Sequence, residues 1–143
     1  YLSYGLNDWV RNTPQKTSTG PGGIDRLPLL WRTPNVKGAG NIPLLLDSSF
    51  FGSDPYPTDH PPEYDGNVVV EFNQNEMKRF CLNRNQNGTT NGVFVNWSVR
   101  EMGLKELWKL KWHRRFDING PWTQTGGIQP SDWPMWMRRF KDY

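Results

Sequence analysis

RNQNGTTNGVFVNWSVREMGLKELWKLKW, residues 84–112, runs from an Asn- and Gly-rich turn through an alternating stretch into a basic segment with a tryptophan-bearing apolar side. Val93, Val95, Trp97 and Val99 share one parity while Phe94, Asn96, Ser98 and Arg100 share the other, the two-residue period of a half-buried strand. Beyond it Leu104, Leu107, Trp108 and Trp112 recur at spacings of three and four, with Lys105, Lys109, Arg114 and Arg115 largely off that stripe. The pattern predicts a strand handing on to a packing helix over 104–115, the two forming adjoining walls of one core.

Working outward, residues 77–83 alternate well enough to pair with 92–99 as an antiparallel hairpin across the Asn/Gly turn. Ile42 to Leu46 reads as a buried strand, residues 68–72 as a short strand, and 1–10 and 27–32 as edge or extended segments, the latter because it contains Pro28. Asn119-Gly120-Pro121 ends the basic segment. Ser131 or Asp132 then caps a short final helix over 133–140, where Pro134 is tolerated in the first turn. The expected fold class is α+β with an antiparallel sheet, long loops and short C-terminal helices, in one domain spanning 1–143.

Composition agrees with an aromatic, loop-rich domain. The chain has 8 Trp, 7 Phe and 5 Tyr against only 35% hydrophobic residues, so aromatics carry much of the core. Its 14 Gly and 12 Pro favour turns over a helical bundle. The lone Cys81 excludes an internal disulfide or a cysteine-based zinc site. No run approaches the ~18 apolar residues of a membrane span, and no basic-then-apolar signal opens the chain. Because it begins at Tyr1, the chain is read as processed or truncated, with any targeting element missing. Residues 1–76 hold five Lys/Arg against nine Asp/Glu, and residues 77–143 twelve against five. That asymmetry suits solvated faces, the steering of nucleic acid or anionic glycans to the C-terminal half, or the meeting of acidic and basic faces of neighbouring copies.

The loop SSFFGSDPYPTDHPPEYDG, 48–66, has no periodicity, and such long excursions are commonly binding loops. Asp47, Asp54, Asp59, Glu63 and Asp65 in and beside it are hard oxygen ligands of the kind Ca²⁺ takes, although the EF-hand spacing is absent. No spacing among them selects a glycosidase pair. His60 and His113, the only histidines, read as surface or capping residues, and no phosphate loop, dinucleotide fingerprint or nucleophile elbow occurs. Trp108 and Trp112 are of a type that stacks bases or sugars, but their place on a stripe with Leu104 and Leu107 is explained by burial. Asn87-Gly88-Thr89 and Asn96-Trp97-Ser98 match the glycosylation acceptor pattern, which is frequent by chance.

RNQNGTTNGVFVNWSVR, GLKELWKLKWHRRFD, GPWT and the closing DWPMWMRRFKDY together resemble the C-terminal half of pilin-like proteins of Planctomycetes and their relatives. YGLNDWV, WRTPNVKGAGNIPLLLD and TDHPPEYDG fit the same family, whose members carry a prepilin-type N-terminal cleavage and methylation segment and are often labelled major pseudopilins of type II secretion. The resemblance implies a globular head on an antiparallel sheet, with the membrane-inserting N-terminal helix absent from this chain. It implies helical self-assembly into an extracellular or periplasmic filament, with other pseudopilins or secretion proteins as partners, the membrane reached only through the missing helix, and no nucleic acid. A calcium-stabilised loop is associated with such proteins, for which Asp47, Asp54, Asp59 and Asp65 are the candidates here. Where the family pattern has His, nine residues, then Asp, this chain has Gln86 and Asn96, followed by Trp97, which removes two ionisable groups but keeps hydrogen-bonding shape. Phe50, Phe51, Tyr56, Trp133, Trp136, Arg138 and Arg139 are the expected contact residues between copies. The other expectation is an extracellular polysaccharide-binding module using exposed Trp and Tyr platforms with Arg and Lys at the rim.

Overall fold

Four residues, Val95 to Ser98, turn the chain back on itself where the alternation predicts a straight strand. The computed structural model describes residues 4–12, 26–66 and 75–143. In it the Trp97 N–H donates to the Phe94 carbonyl at 2.8 Å and the Phe94 N–H to Ser98 at 2.9 Å. The Asn96 side-chain oxygen accepts from both the backbone N–H and the hydroxyl of Ser98, a local bond that Asn offers in competition with a strand ladder. The predicted strand is therefore the end of β4 (Thr89–Phe94), a turn, and the start of β5 (Val99–Gly103), with Val93 directly opposite Val99.

With β1 (Tyr4–Asn7), β2 (Pro43–Asp47) and β3 (Gly52–Ser53) these strands form one five-stranded sheet in the order β3-β1-β2-β4-β5. β1 lies inside the sheet rather than at its edge. Pro43 is tolerated because it is the first residue of β2, where the register against β4 also shifts. The sheet is mixed, not wholly antiparallel, since β3 runs parallel to β1 with Leu6 opposite Gly52. After β2 the chain reverses at Ser48, whose hydroxyl accepts from the Phe50 N–H, and crosses to the far edge of β1. Gly5 permits this crossing: a Cβ there would overlap the Phe50 carbonyl and Ser48.

Every helical segment among the described residues is a short 3₁₀ turn. Leu104–Lys109 is six residues of 3₁₀ helix, not the first half of an α-helix over 104–115, and its buried Leu104 and Leu107, continued by Leu110, follow the three-residue repeat of that geometry. Glu76–Arg79 is likewise helical, so the expected hairpin of 77–83 with 92–99 does not form. Leu27–Leu29 is a 3₁₀ turn rather than an extended segment, and the final region holds two turns, Pro130–Asp132 and Met135–Met137, instead of one helix. The Asp132 carboxylate accepts from the Gln129 N–H at 2.8 Å, which makes Gln129 the capping position in place of Ser131 or Asp132. The strand expected at 68–72 lies outside the described residues.

One face of the sheet carries Leu46, Phe94 and Met102 onto a layer of coil and 3₁₀ turns holding Trp9, Phe80, Leu107, Trp108, Trp112 and Trp133. Trp108 and Trp112 are fillers of this core, as the stripe predicts. Their indole N–H groups donate to the carbonyls of Asp59 and Leu107, so burial leaves neither unpaired. The C-terminal residues close the layer. Phe140 covers Gly88, just before the first rung of the β4–β5 ladder, and Tyr143 covers Gly103, which is part of that rung; a Cβ at either position would collide with those rings. Lys105, predicted on the polar side, is instead fully buried, with its Nζ donating to Asp142 at 2.7 Å and to the Phe140 carbonyl at 3.0 Å beneath the Trp133 ring.

Candidate functional site

The opposite face of the sheet is uncovered among the described residues, and its side chains line up across four strands. Leu6 is opposite Leu45, Leu45 opposite Val93, and Val93 opposite Val99. All four point away from the core by the alternation of their strands, and Val99 is 71% exposed. Tyr4, 60% exposed, stands two residues from Leu6 on the same face. Beside this apolar row the β4–β5 turn presents Trp97, 76% exposed, with φ +66°. A left-handed backbone costs an L-residue about 1–2 kcal/mol, and Gly or Asn is the usual occupant. The turn thus holds a large apolar ring in water on a backbone that an L-residue adopts at a cost.

Asn96, next to it, is occupied in bracing the turn through Ser98. Gln86 is also left-handed, at φ +58°, in the loop preceding β4. The two residues sit beyond opposite ends of a six-residue strand, about 20 Å apart at ~3.3 Å per residue. They serve separate turns and form no common site.

The acidic residues are also dispersed. Asp47 accepts from the Asn91 N–H and lies 3.8 Å from Arg84, while Asp54 pairs with Arg26. Asp65 accepts from the backbone and side-chain nitrogens of Asn83. Asp59 is buried and accepts from the N–H groups of Tyr56 and Met77, both at 3.0 Å. Desolvation outweighs those two bonds and pushes its pKa up to about 6. No three His, Cys, Asp or Glu side chains converge among the described residues.

Of the residues expected at contacts between copies, Phe51 is 66% exposed and stacks on Phe50, which the Arg79 guanidinium covers at 4.5 Å. Arg139 is exposed over Phe140. Trp133, between the C-terminal turns, is buried against Trp108 and Trp122, and Tyr56 is half-buried against Trp9 and His113 because the loop folds onto the core. Trp136 is tied down through its N–H to the Pro62 carbonyl, and Arg138 donates to the carbonyls of Trp133 and Ser131. His113 is enclosed by Trp9, Tyr56 and Phe116, and burial lowers its pKa to about 4. His60 is exposed, edge-on to Trp122 at 5.1 Å. Sequence reasoning missed the row of Leu6, Leu45, Val93 and Val99, whose signal is cross-strand register, and missed Trp122, which lies in a segment without period.

No known protein family, curated protein or solved structure matches this chain.

Proposed function

We propose that this chain is the head of a structural subunit that acts by self-assembly, in a pilin-like or type II secretion pseudopilus filament at the cell surface or in the periplasm, with no catalytic role. The observation that carries the proposal is the partly exposed apolar row Leu6, Leu45, Val93 and Val99 with Trp97 displayed beside it. Desolvating such a row against a second copy is favourable at about 25 cal/mol per Å² buried. The opposite net charges of the two halves of the sequence supply orientation, since the acidic part of one copy attracts the basic part of the next. Contact of this face with a different face of the next copy is heterologous, and it propagates where its rotation does not close into a ring. The resemblance of the closing motifs to pilin-like heads agrees with this reading.

Sedimentation velocity over a concentration series tests it. The unaltered chain is expected to show mass rising with concentration, while Leu45→Glu combined with Val99→Glu stays monomeric and folded, because both positions face water. A wild-type chain that is monomeric throughout the series contradicts the proposal.

A further inference from the structure

Two hollows of about 480 and 420 Å³ adjoin on the side of the molecule formed by the 48–66 loop and the C-terminal turns, and both are lined by His60, Trp122 and Asp132. Such volumes lie within the range of small-molecule sites, about 300–1,000 Å³. Trp122 is the aromatic side chain of largest area that the two share. It is half-buried, braced from within by Trp133 and Trp108 at centroid distances of 5.5 and 6.3 Å, and bordered by the His60 ring.

The indole N–H groups of Trp9, Trp31, Trp108, Trp112 and Trp136 each donate to a backbone carbonyl. That of Trp122 has no acceptor among the described residues, and that of Trp133, which lines the larger hollow, is buried without one. Around the rings stand two carboxylates, Glu63 and Asp132, two cations, Lys78 and Arg138, and the Asn75 carboxamide. The charges balance, so the rim favours neither a polyanion nor a polycation. Donors on Lys78 and Arg138, acceptors on Glu63 and Asp132, and the Asn75 carboxamide, which does both, stand about an indole and match a ligand whose hydroxyls donate and accept and whose C–H faces are apolar. Gly126 and Gly127 form part of the smaller hollow's wall and bring no side chain to it.

We propose that this groove binds a neutral glycan chain, with sugar rings seated on either side of Trp122. The proposal is independent of the assembly face, which involves none of these residues.

Calorimetric titration of this chain with cellohexaose, laminarihexaose and maltohexaose tests it, with decaproline as the competing aromatic-stacking ligand and Trp97→Ala as a control at an exposed indole outside the groove. At least one hexasaccharide is expected to bind with a Kd of about 1 mM or tighter. Trp122→Ala is expected to weaken binding at least tenfold, while Trp97→Ala leaves it unchanged. Because Trp122 also packs inward, Glu63→Ala and Lys78→Ala provide variants at the rim that leave the core intact, and each is expected to reduce affinity several-fold. Absence of heat with all three sugars at about 10 mM, binding of decaproline alone, or wild-type affinity in Trp122→Ala and both rim variants would overturn the proposal.

Discussion

Removing the charge of Asp142 isolates one energetic element of the fold. The Lys105 side chain is 0% exposed and its ammonium has three partners: the Asp142 carboxylate at 2.7 Å, the Phe140 carbonyl at 3.0 Å and the Trp133 ring at 4.9 Å. Asp142→Asn leaves the cation enclosed with only dipolar partners. Stripping one member from a buried pair costs about 3–5 kcal/mol. Asp142 is 26% exposed, so water screens part of the interaction, and the expected loss is about 2–3 kcal/mol. Replacing both members, Lys105→Met with Asp142→Asn, removes the desolvated charge and is expected to recover most of that loss. Urea unfolding at pH 7, followed by tryptophan fluorescence, gives the three free energies, with unchanged slopes indicating that all variants unfold from equally compact states. A single Asp142→Asn variant within about 0.5 kcal/mol of wild type, or a double variant no better than the single, would refute the reasoning.

Asp59 and His113 oppose one another in pH dependence. Asp59 has its pKa raised from 3.8 to about 6, so its contribution is complete below pH 3.8 and is lost as pH rises through 6; two units correspond to about 3 kcal/mol. His113 has its pKa lowered from 6.5 to about 4, so stability present above pH 6.5 is lost as pH falls through 4, by a similar amount. Between pH 4 and 6.5, stability in urea titrations is therefore expected to shift upward with pH in Asp59→Asn relative to wild type and downward with pH in His113→Phe; parallel profiles in all three proteins would contradict the assignment. Trp97→Gly relieves a left-handed tryptophan and is expected to raise stability by about 0.5–1 kcal/mol in thermal unfolding while weakening self-association.

Much of the core was legible because burial and spacing agree, but the run 93–99 does not wall it as expected. Of Val93, Val95, Trp97 and Val99 only Val95 is buried, and Phe94 of the other parity enters the core. Leu104, Leu107, Trp108 and Trp112 are all inside, and Ile42 to Leu46 falls within one residue of β2 at either end. The error at 93–99 has a geometric origin. Val93 and Val99 are six residues apart, so a straight strand puts them on one face, but direct pairing across a four-residue turn does the same. Parity cannot separate the two, and the deciding detail is the Asn96–Ser98 bond. Spacings of three and four likewise suit both helix types; buried Leu110, which completes a repeat of three with Leu104 and Leu107, carried the distinction. Lys105 was assigned to solvent because its partners, at 140 and 142, lie on the distant tail. The groove around Trp122 draws on segments near 60, 75 and 130, which no local period connects.

The uncovered sheet face as a contact between copies is tested most directly by site-specific crosslinking. Cys81 is fully buried and burial drives its thiol pKa upward, so it stays unlabelled, and Val99→Cys supplies one accessible thiol for a benzophenone photocrosslinker. Irradiation of the labelled Val99→Cys variant is expected to join position 99 to a second copy, with Thr125→Cys, an exposed position away from the sheet, giving no such product. Equal crosslinking from both positions, or none from position 99, would contradict assembly through Leu6, Leu45, Val93 and Val99.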